Sequence, residues 1–109
     1  MNPMKVRFAG ADCVASFDRY TSTMNVAIQL FDAVDGVPVC TATVNVDPLE
    51  DGMCAVKNWS ENDGMEEALI SAGIIESEVC DYQRSGYISA PVYRLTEAAR
   101  EAVQATVPR

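Results

Sequence analysis

The sequence of 109 residues contains no histidine. This absence excludes a Ser-His-Asp triad, a Cys-His pair and any zinc site that uses histidine. The chain also has no glycine-rich phosphate loop, and none of its apolar runs approaches the roughly 20 residues that a membrane-spanning helix needs. Residues 1–5 do not resemble a signal peptide, so we expect a soluble cytoplasmic protein.

Basic residues are few and unevenly placed. Eight Lys and Arg face sixteen Asp and Glu, which gives a net charge of −8. Residues 47–81 hold ten acids and one base, Lys57, and therefore carry a net charge of −9. Such a block is either a solvated surface or an electrostatic surface that meets a basic partner. It repels phosphate, so we do not expect this chain to bind nucleic acid directly.

The candidate partner-binding residues are the acids of this block together with the single tryptophan. They are Asp47, Glu50, Asp51, Trp59, Glu61, Asp63, Glu66, Glu67, Glu76 and Glu78.

No two cysteines lie close together in the sequence. Cys13, Cys40, Cys54 and Cys80 are separated by 27, 14 and 26 residues, whereas structural zinc sites usually contain a pair two to four residues apart. We therefore expect four buried, unbridged and metal-free thiols.

Clustered carboxylates at Asp47, Glu50 and Asp51 are the best remaining candidate for a Ca²⁺ or Mg²⁺ site. Their spacing does not match an EF-hand loop, and Pro48 and Leu49 interrupt it. A small metal-dependent enzyme is thus one functional hypothesis, and two others follow below from resemblances to known families. The expectation that we adopt is a protein without catalytic residues, metal or cofactor.

The hydrophobic pattern predicts one α+β domain over residues 1–109. Residues 1–57 are β-rich, because apolar residues alternate with polar ones. We expect an antiparallel meander of five or six strands, with one or two helices packed on one face. Its inward positions are Cys13, Ala15, Phe17, Met24, Val26, Ile28, Leu30, Cys40, Ala42, Val44 and Val46.

The second half changes period. It predicts a helix at 60–73, a strand at 86–94 and a helix at 96–105. Ser60, Asn62 or Asp63 is expected to cap the first helix, and Thr96 the second. Pro91 favours an edge position or a bulge for the strand that contains it.

Residues 67–75 and 93–100, with a polar turn between them, resemble the end of winged-helix regulators. In that family a helix, a wing hairpin and a final helix follow in this order. The resemblance implies a DNA-binding or protein-partner role in regulation, which is the second hypothesis.

A longer resemblance covers most of residues 5–95. The segments that carry it are NVAIQL at 25–30, DGVP at 35–38, ATVNV at 42–46, VKNWSENDGM at 56–65 and AGII at 72–75. The chain resembles a family of small uncharacterised proteins of mobile genetic elements in gut Firmicutes and Actinobacteria. That resemblance implies an accessory role in the cytoplasm of a bacterial host, similar to anti-CRISPR or anti-restriction inhibitors.

Taken with the acidic block, the resemblance leads us to expect a non-enzymatic inhibitor of a host nucleic-acid-targeting defence protein. The specific target expected is an RNA-guided type II CRISPR nuclease, whose basic groove the acidic block would occlude. Trp59 is either a core anchor beside the helix or an exposed interface residue, since tryptophan is common at interface hot spots.

Overall fold

The computed structural model of the protein describes residues 4–105. Seven strands and two helices occur in this range, together with a short 3₁₀ turn. In chain order they are β1 (Met4–Phe8), β2 (Ala11–Arg19), β3 (Val26–Asp32), β4 (Pro38–Thr41), β5 (Met53–Ala55), the 3₁₀ turn (Ser60–Asn62), α1 (Met65–Ser71), β6 (Ile75–Ser85), β7 (Ile88–Leu95) and α2 (Glu97–Ala105).

The first sheet is an antiparallel meander, as predicted, but it has four strands rather than five or six. Its four antiparallel strands lie in the order β1-β2-β3-β4, so each pairs with its neighbour in sequence. Cys13, Ala15 and Phe17 are buried as the alternation predicts, because side chains on a strand point alternately to opposite faces. On β3 the buried face is Val26, Ile28 and Leu30. Met24, which was expected to extend this face, precedes the strand and is 57% exposed.

A single five- or six-stranded sheet is not what the chain forms. The three later strands make a second antiparallel sheet in the order β5-β7-β6. The two sheets meet at one isolated bridge, between Thr43 and Val56. The prediction was wrong because alternation identifies strands but does not say which strands pair.

Strand β6 was not predicted. Its sequence was interpreted as a polar turn because the strand has no buried face beyond Ile75 and Glu76–Tyr82 is exposed throughout. The predicted strand at 86–94 is β7, which lies in the centre of its sheet rather than at an edge. Pro91 pairs with Tyr82 of β6, and its carbonyl accepts a hydrogen bond from Val56 N on the other side; the β6 register irregularity between Val79 and Asp81 lies one pair further along.

The predicted helix at 60–73 is split in two. Gly64 adopts φ +89 and separates the 3₁₀ turn from α1, whose N-terminus has no side-chain cap. The capping role predicted for Ser60, Asn62 or Asp63 at α1 is therefore wrong. The cap predicted for α2 is confirmed, since Thr96 Oγ1 accepts a hydrogen bond from Ala99 N at 3.1 Å.

One large core lies between the two sheets and the helices. It combines the inner faces of β1, β2 and β3 with Met65, Leu69 and Leu95 from the second half of the chain. A smaller cluster forms around Ala90 and Val92 on β7. Because both faces of β7 contribute to a cluster, this strand connects the two apolar regions.

The cysteines differ more than expected. Cys13 and Cys54 are buried and Cys40 is half-buried, but Cys80 is exposed on β6. The prediction of a buried thiol at Cys80 was wrong for the same reason that β6 was missed. None of the four forms a disulfide.

Buried Asn25 fixes the segment that leaves the first sheet. Its Nδ2 donates to the carbonyls of Val46 (3.0 Å) and Asp47 (3.1 Å), and its Oδ1 accepts from Leu49 N at 2.8 Å. We expect Asn25→Ala to lower the free energy of unfolding by about 2–4 kcal/mol, because backbone groups are left without partners. Urea denaturation measures the change.

The matched control is Asn45→Ala, whose side chain bonds Ser22 and Thr23 at an exposed site. It should cost less than about 1 kcal/mol, because water replaces those bonds. Equal losses in the two variants would contradict the role given to Asn25.

Thiol accessibility gives a second prediction. Burial raises the pKa of the Cys54 thiol to about 12, while Cys80 is exposed. Because the thiolate is the reactive form, a disulfide reagent at pH 8 should label Cys80 first and Cys54 only on unfolding. Peptide mapping of the labelled protein gives the order, and early labelling of Cys54 would contradict the predicted core.

Candidate partner-binding surface

The predicted surface residues fall into three groups, and the first lies in the loop between β4 and β5. Asp47, Glu50 and Asp51 are all exposed there. Asn25 holds the backbone of Asp47 and Leu49, so the loop has a fixed path. Asp51 lines a cleft that also contains Arg19 and Arg100, and the surroundings of these loop acids are therefore of mixed charge.

The second group surrounds the start of α1. Glu61 forms an ion pair with Lys57 at 2.9 Å, and the hydrogen bond from Lys57 is the main reason why the pKa of this carboxyl lies below its ordinary value. Asp63 and Glu67 are exposed, and neither forms an ion pair with another residue in the range 4–105. Their charges are therefore available to a partner.

Glu66, which was predicted to be a partner-binding residue, is not exposed as Asp63 and Glu67 are. It is half-buried and accepts a hydrogen bond from Asn58 Nδ2 at 2.7 Å and another from the Tyr93 hydroxyl. Tyr93 is 6% exposed. Burial, followed by the neighbouring carboxylate, raises the pKa of its phenol well above the ordinary value. Glu66 thus joins α1 to β7.

Trp59 is half-buried. Its ring packs against the smaller apolar cluster, which contains Val46, Ala55, Ala90 and Val92. Of the two interpretations of Trp59, these contacts favour the anchor. The neighbouring Asn62 is fully buried and donates from Nδ2 to the carbonyls of Thr41 (2.7 Å) and Lys57 (3.1 Å), which fixes the orientation of its amide.

The third group lies on β6. Glu76 and Glu78 are exposed, as is Asp81 further along the strand. Because β6 is the last strand in its sheet, these carboxylates line an edge that has no strand partner in the described part of the chain. The helix-start and strand groups are near each other, since Glu66 bonds Tyr93 and Tyr93 pairs with Val79 of β6.

Little of the acidic charge is neutralised within the molecule. Between residues 4 and 105 the ion pairs are Arg7–Asp12 (2.7 Å) and Lys57–Glu61 (2.9 Å). Only the second involves the acidic block. In water these uncompensated carboxylates produce a negative field that falls off over about 8–10 Å at physiological ionic strength.

Arg84 and Arg94, two basic residues of the second sheet, do not lie on one face of it. Arg84 lies opposite Ser89, and Arg94 lies opposite Met53. Positions 89 and 94 on β7 differ by an odd number of residues, so the two arginines project from opposite faces of the sheet. A flat basic surface through Arg84 and Arg94 is therefore not formed.

The hypothesis of a Ca²⁺ or Mg²⁺ site at Asp47, Glu50 and Asp51 finds no matching geometry among the described residues. Among residues 4–105 no three Asp, Glu or Cys side chains converge as a metal-ligand group, and this includes the loop acids. None of the helices in this range is long and apolar enough to cross a membrane.

Two features escaped the sequence prediction. One is the Tyr93–Glu66 contact, because nothing in the sequence position of Tyr93 shows that it faces Glu66, 27 residues away. The projecting end of the β6–β7 hairpin was also missed. Tyr82 there is 60% exposed, and Tyr87, at the turn, is fully exposed.

Comparison with known proteins finds no relative. The chain matches no protein family, no curated protein and no solved structure.

The Glu66–Tyr93 contact can be tested by titration. Tyr93 should ionise above the ordinary range of tyrosine in the wild-type protein. Glu66→Gln removes the negative charge that disfavours the phenolate, so it should lower the Tyr93 pKa, although burial keeps that pKa above its ordinary value. Ultraviolet absorbance of tyrosinate measures the shift, and single Tyr→Phe variants assign it. Glu67→Gln is the matched control, and an equal shift in that variant would contradict the contact.

Proposed function

We propose that this protein is a non-enzymatic inhibitor that binds the basic groove of a nucleic-acid-targeting protein. The observation that carries the proposal is the exposure of an acidic block whose charge is almost unpaired within residues 4–105. A groove that binds DNA or RNA is lined by Lys and Arg that neutralise phosphates. A compact acidic surface satisfies the same cations and competes for the same space.

The helix-start acids are the strongest part of this surface. Asp63 and Glu67 are exposed on a segment that the rest of the molecule holds in place, because Glu66 is bonded to Asn58 and Tyr93 and because Asn62 is fixed on two carbonyls. A positioned carboxylate loses less conformational entropy on binding than one on a mobile loop. This favours the start of α1 as the centre of the interface.

The charge pattern favours inhibition over the winged-helix alternative. The order α1, β6, β7, α2 does reproduce the order helix, hairpin, helix. The helix before the hairpin, however, carries Glu66 and Glu67 where a DNA-reading helix needs donors for phosphates and bases, and Arg84 and Arg94 face opposite ways. Such a surface repels a DNA backbone.

The target class proposed is a host defence nuclease, and specifically an RNA-guided type II CRISPR effector. Such an enzyme holds its guide–target heteroduplex in a positively charged channel and recognises it mainly through its backbone. An occluding protein therefore needs negative charge and shape but no catalytic group. A pull-down from a host lysate, with mass spectrometry, identifies the bound nuclease, and a cleavage assay on that nuclease measures inhibition.

The test of mechanism reverses two charges that have no structural role. Asp63→Lys with Glu67→Lys should weaken nuclease binding at least tenfold, which is about 1.4 kcal/mol, because two attractions become repulsions. Glu66 is left unchanged, since its replacement would also break its bonds to Asn58 and Tyr93. Binding by the wild-type protein should weaken between 50 and 200 mM salt.

The matched control reverses two exposed acids of α2, Glu97→Lys with Glu101→Lys, which changes the net charge by the same amount. Its affinity should stay within about threefold of the wild type, because both acids belong to α2 and neither is part of the proposed interface at the start of α1. If both double variants bind as tightly as the wild type, or if salt has no effect, the acidic-surface mechanism is wrong. Recovery of nucleic acid alone in the pull-down would overturn the function itself.

A further inference from the structure

A cleft between β2 and α2 brings two arginines together. Arg19, at the end of β2, and Arg100, on α2, line the same cleft above an apolar floor that includes Val26 and Leu95. Both arginines are half-buried. Within residues 4–105 neither forms an ion pair.

Arg19 is held in place by its own turn. Its Nη1 donates to the carbonyl of Met24 at 2.9 Å. Met24 adopts φ +64, which is unusual for a residue other than glycine, and it directs that carbonyl toward the arginine. One of the five N–H donors of the guanidinium is thus used for positioning, and the others remain for a ligand.

Arg100 is positioned by packing. A Cβ added at Gly52 would lie 3.3 Å from Arg100 Cδ, so the side chain rests directly on the glycine backbone. Gly52 has φ +85 and its carbonyl accepts a hydrogen bond from Leu95 N, which ties this surface to the end of β7. No hydrogen bond joins the Arg100 guanidinium to another described residue.

The lack of an ion pair at Arg19 and Arg100 within residues 4–105 is unexpected in so acidic a chain. Sixteen acids are present, and Arg7 and Lys57 each take one at under 3 Å. Asp51 lines the cleft itself yet lies beyond ion-pair distance of both arginines. Arg100 is half-buried and donates to no described acceptor, which is costly because its guanidinium has lost part of its water without gaining a partner.

We propose that this cleft binds a small oxyanion, a phosphate group, between Arg19 and Arg100. Two guanidinium groups can each offer paired N–H donors to the oxygens of one phosphate, the arrangement in which arginine is most effective. The space beside the arginines is about 40 Å³ and adjoins a second of about 170 Å³, lined by Thr23, Asn25 and Leu49. The second space can receive a small substituent on the phosphate.

Glu50 and Asp51 limit the affinity. Both line the larger space, and Asp51 lines the smaller one as well. Their charges oppose an anion, so binding should be of millimolar strength in the wild-type protein. Removal of one charge by Asp51→Asn should tighten it about threefold or more.

The test is a titration of the intact protein with inorganic phosphate at constant ionic strength, followed by ¹⁵N NMR of the backbone and the arginine Nε. Saturable shifts are expected at Gly52 and at Arg19 and Arg100 Nε. Arg19→Gln and Arg100→Gln should each weaken binding at least tenfold, whereas Arg94→Gln, an exposed arginine outside the cleft, should not change it. Methyl phosphate should bind as phosphate does, and acetate more weakly.

Several outcomes would overturn the site. These are shifts that grow linearly without saturation, an equal loss in Arg94→Gln, or binding that weakens in Asp51→Asn although that variant removes a charge that opposes the anion. Thermal melts of each variant show that it is folded. The result is independent of any protein partner and of the proposed inhibition.

Discussion

The contact on which this architecture depends is the short antiparallel junction between residues 42–44 and 55–57. Val44 N donates to Ala55 O at 3.0 Å, Lys57 N donates to Ala42 O at 2.9 Å, and Thr43 and Val56 form the bridge between them. Thr43 is buried, and its hydroxyl accepts from Ile28 N and pairs with the hydroxyl of Tyr20. One polar side chain thus satisfies backbone and side-chain groups at the only bridge between the two sheets in the described range, which keeps their inner faces over one core.

The segment that carries the helix-start acids of the candidate surface follows that junction directly in the chain. Lys57 forms an ion pair with Glu61, and Asn58 donates a hydrogen bond to Glu66. Trp59 packs against the smaller apolar cluster. Asn62 donates hydrogen bonds to the carbonyls of Thr41 and Lys57, which connects the end of this segment to its beginning. The segment that carries the acids is therefore tied to the rest of the molecule by contacts that leave Asp63 and Glu67 exposed.

The sequence predicts those helices and strands of this fold that have one solvent-exposed face and one buried face. The alternation of Cys13, Ala15 and Phe17 locates β2, and the spacing of Met65 and Leu69 locates α1, because burial imposes those periods. Strand β6 has no buried face beyond Ile75, so its sequence shows no periodic pattern of apolar residues. The Glu66–Tyr93 contact and the Arg19–Arg100 cleft join residues 27 and 81 positions apart, and such pairs follow from sheet order, which alternation does not encode.

The acids of β6 have an explanation that those of α1 do not share. An exposed edge strand of eleven residues invites pairing with another chain, and proteins prevent it with charges and bulges along the edge. Glu76, Glu78 and Asp81 lie along that edge, and the register with β7 is irregular between Ile75 and Val79 and again between Val79 and Asp81. These carboxylates are accounted for by solubility alone. Asp63 and Glu67 protect no edge and neutralise no described cation, so the start of α1, rather than the net charge of the chain, is the feature that favours a basic partner.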